Sequence, residues 1–255
     1  MEKLCKLCGN VKVLVDSHII PEAFFRIMGE DLSKVKIYSS DKEVFPKKAR
    51  KGAYDQIVCV DCENIFGPWD QYAAEFLLDK NNFSDPIVDE NGDIQGFEIP
   101  SVDYKRLKLF SLSLLWRASV SDHILFDSVD IGPANEAILA DMILESNPGG
   151  PGDYPVVICK YDDRPASTVI GSARRLRTQE GINFYKIYFG GFEFSIKVDR
   201  QEDEAFSKLR LEVGKTFPVL YEKIGDTAEF KSMRNVAKLW TADMGLIKRK
   251  PQDTI

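Results

Sequence analysis

The stretch "CVDCENIFGPWD", residues 59–70, decides how this chain of 255 residues is read. Cys59 and Cys62 stand two residues apart and lead straight into a helical pattern. A second pair, Cys5 and Cys8 in "CKLCGN" (5–10), has the same gap. Two intervening residues let both sulfurs of a pair turn toward one ion, and zinc takes four thiolates in a tetrahedron. Gly9 lets the backbone turn back after the first pair. Two such knuckles, the second at a helix start, predict a treble-clef-like zinc site with Cys5, Cys8, Cys59 and Cys62 as ligands. Four thiolates leave no open coordination position, so this zinc is expected to be structural. Cys159, in the apolar strand pattern "VVICKY", reads as a buried core residue.

Composition bounds the rest. Hydrophobic residues make up 44% of the chain and aromatics 11%, enough for a real core. No apolar run reaches the roughly 18 residues of a membrane span. The start "MEKLCKLCGN" has no apolar leader, so a cytoplasmic protein with reduced thiols and no membrane partner is expected. The net charge of -6 argues against nucleic acid only on average. Residues 70–100 hold eight acids and one lysine, and the remainder of the chain is close to neutral. "FPKKARKG" (45–52) places Lys47, Lys48, Arg50 and Lys51 within five residues. That cluster reads either as a phosphate contact or as a solvated loop.

The pattern along the chain predicts an α+β protein. An N-terminal unit, residues 1–80, carries the cysteines and is expected to be a treble-clef-like zinc domain. It contains a strand in "VKVLVDSHIIP", where Val11, Val13 and Val15 alternate. A short helix "PEAFFRIM" follows, then a strand "YDQIVC" and a helix after Cys59 that breaks or restarts at "GPWD". Residues 81–150 read as a polar linker, with a hairpin turn at "ENGD", followed by central helices. The first of these, in "SVDYKRLKLFSLSLLWRASVSD", is too apolar to stand in solvent. Asp103, or Ser101 with Tyr104, offers its start, and Arg117 is expected to meet a carboxylate in the interior. "NPGGPGDYP" ends the helical region. Residues 151–255 then alternate as strands and form a β-rich C-terminal subdomain of open role, with a final helix around "SMRNVAKLWTADMG".

Between the cysteine pairs the chain resembles a known family. "CKLCGN", "DSHIIPEAFFR" and "CVDCENIFGPWD" together are similar to zinc-stabilised HNH-type endonucleases, in the variant with an "SHIIP" motif. The resemblance is specific over residues 5–75 and extends loosely, through "LSLLWRAS", to about residue 145. It implies a metal-dependent endonuclease that hydrolyses phosphodiester bonds in DNA or RNA, of the kind found in bacterial anti-phage defence. It gives His18 the role of general base, since a neutral imidazole takes a proton from water at pH 7. It implies a catalytic magnesium or manganese ion, held by the residue before His18 and by the first turns of the following helix. Here the residue before His18 is Ser17, a poor ligand, with Asp16 one step further back.

Alternation along a strand puts Asp16 and His18 on one face and Ser17 on the other, unless a bulge intervenes. Glu63 and Asp70 are the remaining oxygen candidates, and Asn64 is placed to orient His18 or bind the ion. Arg26 is a candidate phosphate contact. Each of these also has a plain reading as a solvated or capping residue. Trp69 and Trp116 read as packing residues and His123 as a structural cap. The competing functional class is a non-catalytic zinc module that binds nucleic acid or protein, with the C-terminal region as a possible partner surface.

Overall fold

A computed structural model describes residues 2–26, 52–161 and 173–227, the backbone of 36–37 and 47–48, and residues 231, 234 and 235. The chain is mixed α and β. The elements of the cysteine unit are β1 (Glu2–Leu4), β2 (Val11–His18), α1 (Glu22–Arg26), β3 (Lys36–Ile37), β4 (Lys47–Lys48), β5 (Tyr54–Cys59) and α2 (Val60–Leu78). Strands β1, β2 and β5 form an antiparallel sheet in that order, and β3 pairs with β4. Helix α2 starts directly after Cys59 and runs unbroken through Pro68, where a break or restart was expected. Proline removes one helical hydrogen bond. Phe66, Trp69, Ala73, Phe76 and Leu77 are buried along the helix and hold it through the proline.

Next come β6 (Pro86–Val88), β7 (Ile94–Ile99), α3 (Tyr104–Val120) and α4 (Gly132–Leu144). They are followed by β8 (Val156–Tyr161), β9 (Arg174–Arg177), β10 (Asn183–Phe189), β11 (Phe192–Lys197), α5 (Glu204–Leu209) and β12 (Phe217–Glu222). Among the described residues seven strands form one sheet in the order β6-β7-β12-β8-β11-β10-β9. All pairs are antiparallel except β12 with β8. Two sequence expectations hold locally: β6 and β7 form a hairpin across Asp89–Asp93, and Gly190–Gly191, both at positive φ, turn β10 into β11. The final expected helix lies mostly outside the described residues.

Strand pairing and core contacts run across the bounds of the three expected segments. The predicted linker supplies β6 and β7, and β7 pairs with β12 from the far end of the chain. Helix α3 starts at Asp103, whose side chain accepts the Arg106 N–H at 3.0 Å. From Leu107 to Ala118 every residue is buried, and α3 packs against α2, α4 and β11. Phe24 of α1 meets Phe189 of β10 edge-on at 4.8 Å, and Phe66 of α2 lies 6.4 Å from Trp116 of α3. One apolar core therefore joins the cysteine unit to the seven-stranded sheet. Each buried phenylalanine contributes about 1.5–3 kcal/mol to holding the units together.

Lys108 of α3 is fully buried and donates to the Tyr154 carbonyl at 2.6 Å. Burial pulls its ammonium from 10.5 down to about 7, opposed by Asp153 and assisted by Arg210. Between these two values the unfolded chain holds a proton that the folded chain has lost, so this group makes stability rise with pH across that window. Below about 7 its full penalty applies. Lys108→Met is therefore expected to melt higher than the parent near neutral pH, with the gain shrinking toward the upper end of the window. Parallel melting profiles for the two proteins across that range would sink this.

Candidate functional site

The four cysteines converge from three places. Cys5 and Cys8 lie in the turn between β1 and β2, Cys59 ends β5, and Cys62 sits in the first turn of α2. Their sulfurs all lie within 4.8 Å of one another. Cys5 Sγ is 3.7 Å from Cys62 Sγ, against about 3.8 Å for the edge of a zinc–thiolate tetrahedron with bonds of about 2.3 Å. The first knuckle is closed by backbone bonds from Cys5 N to Asn10 O and from Gly9 N to Cys5 O, each 2.9 Å, with Gly9 at φ +70°. The backbone N–H of Asn10 holds the Cys8 thiol down at about 7. The Cys59 N–H points at Cys5 Sγ at 3.4 Å. These donors suit thiolates, and the donor set fits a zinc ion held for structure. Cys159 is buried in β8, away from this cluster, as the strand pattern predicts.

His18 ends β2, one strand away from the cysteines. Between Val15 and Ser17 the pairing with β5 slips, so that Gln56 and Ile57 together face Asp16. The extra residue is on β5. Asp16 is exposed and accepts from Gln56 Nε2 at 3.0 Å, while Ser17 is fully buried. The bulge also frees the Ile57 carbonyl, which takes the Lys6 N–H of the first knuckle at 2.9 Å. It thereby ties the cysteine turn to β5.

Ser17 donates its hydroxyl to Glu63 Oε2, so the position before the histidine and the start of α2 do meet. The His18 ring lies on Tyr54, centroids 4.1 Å apart. His18 Nε2 is buried and has no hydrogen-bond partner among the described residues. Burial pushes the imidazole below its ordinary value, against the pull of Glu63, Glu22 and Asp70, and Arg117 adds to the lowering. His18 is therefore neutral at pH 7.

Arg117 is the residue whose place the sequence foresaw only in outline. It is fully buried, and all five of its N–H groups are engaged. Nη1 donates to the His18 carbonyl at 2.7 Å and to Asp70 Oδ2 at 2.9 Å. Nη2 donates to Asp70 Oδ1 at 2.8 Å and to Ser113 Oγ at 3.3 Å, and Nε to the Ser113 carbonyl at 3.3 Å. The guanidinium also lies over the Phe66 ring at 4.7 Å. Asp70, a candidate ion ligand from sequence, thus has both oxygens committed to Arg117.

The other candidates scatter. Asn64 is exposed and makes no hydrogen bond to His18 among the described residues. Arg26 pairs with Glu22 at 3.2 Å on the surface. Arg50 and Lys51 lie outside the described residues, and of Lys47 and Lys48 only the backbone pairing with β3 is described. His123 Nδ1 accepts the Leu125 N–H at 3.3 Å, a cap as expected. Among the described residues the cysteines are the only group of three or more His, Cys, Asp or Glu ligand atoms close enough to share one ion. Of the carboxylates that act on His18, Asp70 is held by Arg117 and Glu22 by Arg26, which leaves Glu63 for a second ion. That is compatible with magnesium, which keeps several waters and binds through one or two carboxylates together with substrate phosphates.

A cavity of about 760 Å³ opens elsewhere, between α4, the turn at 147–155 and α5. Its charges are largely answered internally, Lys197 by Asp199 at 3.0 Å and Arg210 by Glu212 at 3.0 Å. None of Ser17, His18 and Glu63 lines it. No helix among the described residues is long and apolar enough to cross a membrane. No protein-family model, curated protein or solved structure matches the chain.

Proposed function

We propose that the chain is an HNH-like phosphodiester hydrolase acting on DNA, built on a treble-clef zinc unit, with His18 as general base. The observation that carries this reading is His18 itself. Its ring is neutral, one ring nitrogen is without a partner among the described residues, and it ends β2 beside Ser17, whose hydroxyl reaches Glu63 in the turn of α2 that also carries Cys62. In the proposed step His18 takes a proton from water, the water oxygen bonds to phosphorus, and the ester P–O bond breaks toward the leaving alkoxide. Glu63 is the residue that would hold a magnesium or manganese ion brought with the phosphate, and such an ion supplies charge stabilisation at the phosphoryl oxygens. Arg117 keeps the backbone at His18 in place from the far side.

A second reading, a non-catalytic zinc module, is favoured by two specific features. Ser17 stands where an acidic ligand belongs and closes onto Glu63, and His18 Nε2 is covered. Plasmid nicking separates the two. The hydrolase reading expects nicking that requires magnesium or manganese and falls roughly 10²–10⁴-fold in His18→Ala, with zinc content unchanged. DNA binding that is equal in parent and His18→Ala, with no cleavage under either ion, would leave the module.

A further inference from the structure

The two edges of the seven-stranded sheet carry opposite charge. At one edge, residues 81–104 around β6 and β7 include Asp85, Asp89, Glu90, Asp93 and Glu98, and no lysine or arginine. At the other, β9 reads Arg174-Arg175-Leu176-Arg177 with all three arginines exposed. Among the described residues β9 pairs only with β10. Arg175 Nη2 donates to Asn183 Oδ1 at 3.0 Å and Arg177 Nε to the Gly181 carbonyl at 3.1 Å. These neutral acceptors fix the side chains without cancelling their charge, and among the described residues none of the three arginines forms an ion pair.

Strand alternation puts Arg175 and Arg177 on one face, about 6.4–6.8 Å apart along the strand, and Arg174 on the other. Charge on an edge also prevents sheets from pairing edge to edge. Edge protection requires no particular sign, however, whereas here one end of the sheet is acidic and the other basic.

The basic edge is also tied to the histidine site. Tyr54 of β5 lies on His18, and the next residue, Asp55, accepts from Ser121 Oγ at 2.9 Å and from the Asp122 N–H at 2.7 Å. The same loop after α3 reaches β9. Ser128 Oγ donates to the Ala173 carbonyl at 2.5 Å, and Tyr185 of β10 donates to the Asp130 carbonyl. Residues 121–130 thus bridge the strand under His18 and the start of the arginine strand.

We infer that β9 is a contact strand for the phosphate backbone of nucleic acid, with Arg174, Arg175 and Arg177 as the contacting cations. The inference deepens the proposed function and rests on its choice of nucleic acid as partner. Arginine presents planar donors suited to phosphate oxygens, and such contacts supply affinity without reading sequence.

Fluorescence anisotropy of the full chain with a labelled duplex of about 20 base pairs and with single-stranded RNA, without added magnesium or manganese and over a range of salt, tests this. The variant is Arg174→Gln/Arg175→Gln/Arg177→Gln. Its affinity is expected to fall roughly tenfold or more, and the slope of log affinity against log salt to shrink by about 2–3 for duplex DNA. Replacing the same three positions with lysine keeps the charge and is expected to restore most of the binding, which separates phosphate contact from damage to the edge. Parent-like affinity and slope in the glutamine variant overturn the inference. A nicking assay run alongside separates it from the reading it rests on. A parent that binds through β9 yet never nicks removes the hydrolase and leaves the contact strand. A parent that nicks, with KM unchanged in the glutamine variant, removes only the contact strand. A parent that binds neither probe at low salt removes both.

Discussion

Cys59→Ala is expected to leave a zinc-free protein without a folded N-terminal unit. Cys59 joins three elements: it ends β5, starts α2 and aims its N–H at the Cys5 sulfur. Structural zinc sites of four thiolates contribute apparent free energies of about 10–16 kcal/mol at neutral pH. A domain's whole stability is about 5–15 kcal/mol, so losing one ligand exceeds what the surrounding packing can absorb. The loss spreads because Cys5, Cys59 and Cys62 are part of the same core as α3 and the large sheet. Near-UV circular dichroism and metal analysis of the purified variant check this, and a strong chelator should reproduce it in the parent. A Cys59→Ala protein that is zinc-free yet melts with the parent would remove the metal argument altogether.

Arg117→Met is expected to cost about 3–5 kcal/mol, the range for removing one partner of a buried ion pair. The change strips both Asp70 oxygens of their donors while the Asp70 side chain remains only 17% exposed. It also leaves the His18 carbonyl without its Nη1 donor. Arg117→Lys rescues little, because an ammonium cannot reproduce a planar fork that serves a carboxylate, a carbonyl and a serine together. Asp70→Leu combined with Arg117→Met should recover a large part of the loss, since the uncompensated charge then disappears. Denaturant unfolding of the single and double variants measures the coupling. A single variant within about 0.5 kcal/mol of the parent would show that the pair does not hold the histidine strand.

The two cases differ in how far the sequence reached. Cysteine spacing is a short-range signal with few chemical meanings, and it located the four-cysteine cluster and the start of α2. The apolar run from Leu107 to Trp116 likewise marked a central helix, and Asp103 its cap, because periodicity and capping act within a few residues. Arg117 within that run implied an interior carboxylate. Nothing local said that the carboxylate would be Asp70, 47 residues away, or that the same guanidinium would hold the His18 carbonyl. The slip between β2 and β5 was open for the same reason. Which strand carries the extra residue depends on pairing, and the structure gives it to β5, which leaves Asp16 in solvent and Ser17 inside.

The linker is the plainest difference. Residues 81–100 are polar and turn-rich, and by composition alone they connect rather than build. The hairpin expected within them becomes part of the large sheet because β12, from near the end of the described chain, offers β7 an edge to pair with.

The sequence alone therefore determined the grouping of four cysteines that could hold a metal, most of the strands and helices, and the presence of one histidine at a strand end near that group. These follow from spacing, alternation and caps, which act over a few residues. Tertiary structure alone decided three other things: the closure of Ser17 onto Glu63, the engagement of Asp70 by Arg117, and the placing of an arginine strand and an acidic hairpin at opposite edges of one sheet. These depend on which distant segments share a core, and that is settled by the packing of the whole chain.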